Sequence, residues 1–249
     1  MTGLGSTREV DVWLATVQGD EGLARRQLDD EELARADRFV RPTDRYRHTI
    51  AHATLRYVLA RYVDEPPRSL RLVADPCQHC GRPHGKPRLA GDAGHDFNLS
   101  HSGTLVAVAV ARRRRVGVDV QEVTPVDAPG MARRFFTPAE AACVAATARV
   151  ETRQRLFHEL WTRKEAVLKA TGAGLLGGPG RLDVRDPGAG DLLLVTAPGL
   201  DRPVGIQGLT TPTGYVGAVA AEGDDWTLTT RPIPSVPALR HAPARGSAR

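Results

Sequence analysis

The sequence predicts an α+β protein of two halves of comparable size that meet near residue 122. Two observations predict it. The apolar periodicities run strand, helices, strands, then helices, strands. The change back to helix follows a break spaced by Pro125 and Pro129. A length of 249 residues with 41% hydrophobic content is enough for two units of about 120 residues, each with a core. The reading divides the chain into an N-terminal α+β half over 1–122, a C-terminal α+β half over 123–230, and a disordered basic tail over 231–249.

Taken in order, Val10, Val12 and Leu14 alternate with Asp11, Trp13 and Ala15, which reads as a strand over 9–17. A helix from about Asp30 to Phe39 has acids in its first turn. A second runs from about Thr43, which can cap it, to Val63, with Ile50, Leu55, Val58, Leu59 and Tyr62 as its buried face. A strand at 70–74 closes this block. From Asp75 to Gly94 the chain is rich in Pro, Gly, His and Cys, too long for a mere connection, and therefore functional or mobile. Strands resume at 97–100, 105–110 and 116–120. Helices follow at about 131–136, at 138–148 with Thr137 as cap and Pro138 as first residue, and at 151–170. Residues 181–230 are strand-like, with glycine and proline turns.

Composition excludes several function classes. The N-terminus lacks a basic start followed by an apolar run, and no window reaches the roughly 18 apolar residues of a membrane span, so a cytoplasmic protein without a membrane partner is expected. Three cysteines do not make a disulfide framework. Cys77 and Cys80 followed by His84 resemble half a zinc site, but no second ligand pair stands at suitable spacing, which favours a tight loop with thiols. The net charge of +5 does not signal nucleic acid. The tail holds Arg231, Arg240, Arg245 and Arg249 with no acid, so only +1 belongs to the rest. The run Arg112 to Arg115 lies between strands as a solvated hairpin tip, without aromatic residues interleaved for stacking on bases.

Chemistry concentrates in a few places. The chain has 34 Lys+Arg but only three lysines, Lys86, Lys164 and Lys169, and two of them lie in one helix. Lysine is a compact point charge that can approach a single phosphate oxygen, so this distribution points to phosphate. On that helix Phe157, Trp161 and Leu168 share a narrow sector, with Lys164 on one flank, Glu165 on the other, and Lys169 a turn beyond Glu165. An ordinary i, i+4 Glu165/Lys169 pair would also explain the pattern. On the strand 116–120 and its continuation, Asp119 and Gln121 share one face, opposite Val116, Val118 and Val120. An acid in so apolar a strand needs a cation, either an arginine or a metal. The oxygen ligands Asp119, Gln121 and Glu165 would suit Mg²⁺. Ser100, His101 and Ser102 add a polar cluster at a strand end where a phosphate could be held.

In order, Gly85-Lys86-Pro87, Phe97-Asn98-Leu99-Ser100-His101-Ser102, Gly117-Val118-Asp119, Phe135-Phe136-Thr137-Pro138-Ala139-Glu140 and Trp161-Thr162-Arg163-Lys164-Glu165-Ala166-Val167-Leu168-Lys169 resemble the signature of Sfp-type 4′-phosphopantetheinyl transferases over roughly residues 30–176. The resemblance implies a pseudo-twofold α+β fold whose similar halves clasp coenzyme A and Mg²⁺ in the cleft between them. It implies transfer of the phosphopantetheine arm to a serine of an acyl or peptidyl carrier protein, with release of adenosine 3′,5′-bisphosphate, by a monomer. It places Asp119 and Glu165 on the metal, makes Glu165 the base, and sets Lys169 and Lys164 on the diphosphate. Ser100 and His101 would contact a coenzyme A phosphate, Lys86 and Arg47 the nucleotide, and Arg35 the 3′-phosphate. The chain departs from the pattern at Gln121, where many members have glutamate, so weaker metal binding in the absence of coenzyme A is expected, with water or Gln121 at that position. Glu140 either assists the base or favours the first turn of its helix, the latter being preferred. A catalytically silent coenzyme A-binding module on the same fold is the alternative.

Overall fold

The computed structural model describes residues 6–76, 80–82, 85–92, 94–174, 178–185, 192–197 and 199–233. Cys77 and His84 of the zinc reading, and the tail beyond 233, lie outside them.

Two four-stranded sheets, each covered by one 22-residue helix, form the two halves. The first sheet has the order β10-β1-β5-β4, from β1 (Glu9–Thr16), β4 (His95–Ser102), β5 (Leu105–Arg112) and β10 (Thr227–Pro232). The short α1 (Glu21–Arg25), α2 (Asp30–Ala36) and the long α3 (Pro42–Val63) follow β1. Ile50, Leu55, Val58 and Leu59 of α3 are buried against Phe97, Val106, Val108 and Val110 of the sheet. α2 starts on a capping box, in which Asp29 accepts from the Glu32 amide and Glu32 reaches back to the Asp29 amide. The second sheet has the order β6-β9-β8-β7, from β6 (Val116–Glu122), β7 (Leu193–Val195), β8 (Val204–Gly208) and β9 (Tyr215–Glu222). Its helices are α4 (Ala128–Phe135), α5 (Pro138–Ala146) and α6 (Val150–Thr171), and α6 lies across β6 and β9.

Sheet membership corrects the expected division at residue 122. β6 pairs with β9 in the second sheet, and β10 returns to pair with β1 in parallel, so Arg231 and Pro232 belong to a strand rather than to a tail. Part of the 75–94 loop is also ordered: β2 (Leu72–Ala74) and β3 (Pro87–Leu89) form a two-stranded sheet.

The halves meet through two contacts. Val10, Val12, Ala107 and Ala109 of the first sheet pack against Val116, Val118, Val120 and Val219 of the second in one apolar cluster. Beside it the edge strands β4 and β6 face each other without backbone pairing. Alternate side chains of β4 take the place of a partner strand: Asp96, Asn98, Ser100 and Ser102 accept from the amides of Val116, Val118, Val120 and Glu122. The outward N–H row of an edge strand must find acceptors when buried. Here a polar strand supplies them at a period of two. Among the described residues no helix is long and apolar enough to cross a membrane.

Candidate active site

A cavity of about 580 Å³ opens along this junction, lined by residues of both halves. From the first come Arg35, Phe39, His48, His52, Leu99, Ser100 and His101; from the second, Asp119, Gln121, Trp161, Glu165 and Lys169.

Asp119 is 2% exposed. Its Oδ1 accepts from Ser100 Oγ at 2.8 Å and from Lys169 Nζ at 2.6 Å, and its Oδ2 from the Gln121 amide at 3.2 Å. The close approach of α6 to β6 that permits this depends on Gly117, where a Cβ would run into the Ala166 carbonyl and the Ala170 amide. Lys169 also donates to the Val118 carbonyl at 3.2 Å.

Glu165 lies half-buried on the same wall and makes no hydrogen bond or ion pair among the described residues. Burial raises its pKa, the Asp119 carboxylate raises it further, and Lys169 acts in the opposite direction. Two carboxylates and an amide oxygen, with one carboxylate unpaired, are a donor set that suits a hard cation bringing its remaining ligands from water or phosphate. No group of three or more His, Cys, Asp or Glu among the described residues could hold a metal unaided.

His101 lines the cavity, its pKa lowered by desolvation and then by the charges of His52, Lys169 and Arg47. The wall contributed by the first half also contains features the sequence reading passed over. His48 and His52 stand one turn apart on α3 with ring centroids 4.1 Å from each other, and Phe39 covers His48 at 5.0 Å. The signal was present as His-x₃-His on a predicted helix, a spacing that puts both rings on one face.

Of the expected site residues, the structure brings Ser100, His101, Asp119, Gln121, Glu165 and Lys169 together. Lys164 is a correction. It is fully buried in the second half, paired with Glu140 at 2.6 Å, and donates to the carbonyls of Pro179 and Leu182. Its angular position lies close enough to the apolar sector for the side chain to enter the core, where the buried Glu140 waits. Glu140 itself closes a capping box with Thr137 at the start of α5 and accepts from the Val184 amide, which accounts for it structurally. Lys86 does not line the cavity. It is buried, bonded to Asp96 and to the Val116 carbonyl, and burial lowers its pKa to about 8 against the pull of Asp96. Arg47 is not among the cavity residues either; it sits half-buried 3.7 Å from Asp44, with its charge felt at His101.

The fold and site together define a two-sheet α+β protein whose interface cleft sets a partly buried Asp–Lys pair beside an unpaired carboxylate. Residues 115–220 match the 4′-phosphopantetheinyl transferase superfamily. HetI, a 4′-phosphopantetheinyl transferase of Nostoc, is 37% identical over 152 residues, 59% of this chain and 61% of HetI. Sfp, a 4′-phosphopantetheinyl transferase of Bacillus subtilis, is 29% identical over 208 residues, 81% of this chain and 90% of Sfp. A relative from Synechocystis, also 37% identical, is matched over 59% of its length, so the chain spans about three fifths of the first relatives it matches.

Proposed function

We propose that this protein transfers the 4′-phosphopantetheine group of coenzyme A to a serine of an acyl or peptidyl carrier protein and releases adenosine 3′,5′-bisphosphate. The observation that carries this reading is the cleft between the halves, with Lys169 on Asp119 and Glu165 unpaired beside them. The superfamily match over β6 to β9 agrees with it.

In this reading the serine oxygen attacks the phosphorus that bears the pantetheine arm. A new P–O bond forms, the P–O bond to the nucleotide phosphate breaks, and the serine proton passes to Glu165. Glu165 suits the role because its raised pKa brings it nearer the working pH of a general base. Lys169 neutralises the diphosphate, a demand that dominates phosphoryl transfer, and His101 donates a hydrogen bond to it. Asp119, Glu165 and the Gln121 oxygen would hold Mg²⁺, which supplies charge neutralisation on the diphosphate oxygens when bound.

Gln121 donates to Asp119 instead of adding a third carboxylate. Mg²⁺ should therefore bind chiefly as a coenzyme A complex; calorimetry that finds tight Mg²⁺ binding to the protein alone contradicts this. The reaction itself is tested by chromatographic detection of adenosine 3′,5′-bisphosphate formed from coenzyme A and an apo carrier protein, with and without EDTA. Nucleotide formed in step with carrier consumption supports the reading. Coenzyme A binding without release, across carriers of several classes, favours the silent binding module.

A further inference from the structure

A second cavity, of about 280 Å³, adjoins the main one, and no step of the proposed reaction draws on it. Gln121 and Trp161 line both cavities. Much of the remaining wall is apolar, from Val126 of the segment joining β6 to α4, Met131 of α4 and Phe157 of α6. Glu122 is the charged residue on this wall, and among the described residues no lysine or arginine lines it.

His158 of α6 is the buried polar group of the second cavity. It is 5% exposed, and its Nδ1 lies 2.8 Å from the Gln154 carbonyl. A carbonyl can only accept, so Nδ1 carries the hydrogen, and in the neutral ring Nε2 is left with a lone pair. That nitrogen makes no hydrogen bond among the described residues. Gln154 also holds Val126: its side chain donates to the Val126 carbonyl at 2.7 Å and accepts from the Val126 amide at 3.1 Å. One residue thus fixes both the ring and a second part of the wall, which sets the acceptor in place before a ligand arrives.

We propose that His158 is a specificity-determining residue for the uncharged arm of the co-substrate, its Nε2 accepting a hydrogen bond from an amide N–H or a hydroxyl of that arm, and that Gln154 is the residue that positions it. The inference rests on the coenzyme A reading above. Coenzyme A continues from its diphosphate in two directions. One leads to the nucleotide and its further phosphate. The other leads to the pantetheine chain, which carries no charge and alternates methylene stretches with amides and a hydroxyl. The second cavity disfavours the first, because Glu122 repels an anion and no cation stands beside it to offset the repulsion. It suits the second: Val126, Met131, Phe157 and Trp161 cover methylenes, and the ring nitrogen takes a donor. A buried acceptor of this kind discriminates strongly, since a ligand without a donor at that point leaves it unpaired.

The test is calorimetric titration of the full chain, with Mg²⁺ present, for the wild type, His158→Phe and His158→Gln. The ligands are coenzyme A and adenosine 3′,5′-bisphosphate, which has the nucleotide and lacks the arm. His158→Phe keeps a ring and removes the acceptor. Its affinity for coenzyme A should fall by about tenfold, while its affinity for the bisphosphate stays at the wild-type value. His158→Gln returns an acceptor and should recover most of that loss. A fall shared by both ligands would make His158 a structural residue and overturn the inference, as would a His158→Phe variant that binds coenzyme A like the wild type; either leaves the coenzyme A reading intact. No coenzyme A binding by the wild type overturns both. Should the variants fail to fold, nitrogen resonances of the wild type decide: the His158 Nε2 signal should move when coenzyme A binds and hold its place when the bisphosphate binds, and a signal that is the same in the two complexes overturns the inference.

Discussion

Glu165 is a side chain that the fold tolerates at a cost and the proposed chemistry requires. Its pKa is raised in the folded state, so folding favours the protonated form; that contribution is complete below the unfolded value and is lost as pH rises through the folded one. At neutral pH the charged carboxylate is therefore a liability. Glu165→Gln should melt no lower than the wild type near pH 7 while losing about 10²–10⁴-fold in transfer rate, as expected for removal of a general base. A variant that loses stability in parallel with activity would make Glu165 a structural residue. Lys164 should behave in the opposite way. Lys164→Met leaves Glu140 buried without its cation and should destabilise the protein by about 3–5 kcal/mol in denaturant unfolding. The folded fraction should keep its coenzyme A affinity. The two lysines of one helix look alike as sequence, because composition says that lysine is rare here and cannot say which flank of α6 meets solvent and which meets a buried acid. For Asp119 the need was legible and the partner was not: a carboxylate inside Val-Gly-Val-Asp-Val must find a cation, and Lys169, not an arginine, pairs with it here.

At the level of elements, the junction of β4 and β6 decides where the site stands. Four side chains at period two, Asp96, Asn98, Ser100 and Ser102, satisfy four amides of the facing strand, so the register between the halves is set by side chains. Asn98→Ala would leave the buried Val118 amide without an acceptor, which costs about 1–3 kcal/mol in unfolding free energy. Unchanged stability would mean that the amide finds water and that the ladder is not what aligns the strands. The strands β1, β2, β4, β5 and β6, the long helices α3 and α6 and the Thr137 cap were legible in periodicity and capping residues, whereas β3 lay in a segment read as loop and β7 to β9 were read only as a strand-like stretch. β10 was only half so. Its alternation is visible, but its partner β1 lies more than 200 residues earlier, and nothing local says that a C-terminal strand will pair there. The role of the polar residues in β4 was hidden for the same reason: Asn98 reads as a weak strand former until the edge of β6 is seen beside it.

Across the whole molecule, the chain crosses between the halves twice, once into β6 and once back through β10, where Arg231 bonds the buried Asp11 at 2.7 Å. Halves tied in this way should unfold together. Calorimetry should show a single transition whose calorimetric and van't Hoff enthalpies agree, and two separated transitions would show that each half stands alone. The same tie holds both walls of the cleft in one frame, which is what a site drawing Ser100 and His101 from one sheet and Asp119, Glu165 and Lys169 from the other requires. That shared cleft is the central claim, and intact mass spectrometry of an apo carrier protein, after incubation with this protein, coenzyme A and Mg²⁺, tests it most directly. The account predicts a mass gain equal to one phosphopantetheine group, confined to a serine of the carrier, absent with EDTA and absent with Glu165→Gln. A gain that persists at the wild-type rate in Glu165→Gln, or no gain on any carrier while coenzyme A still binds, would contradict it.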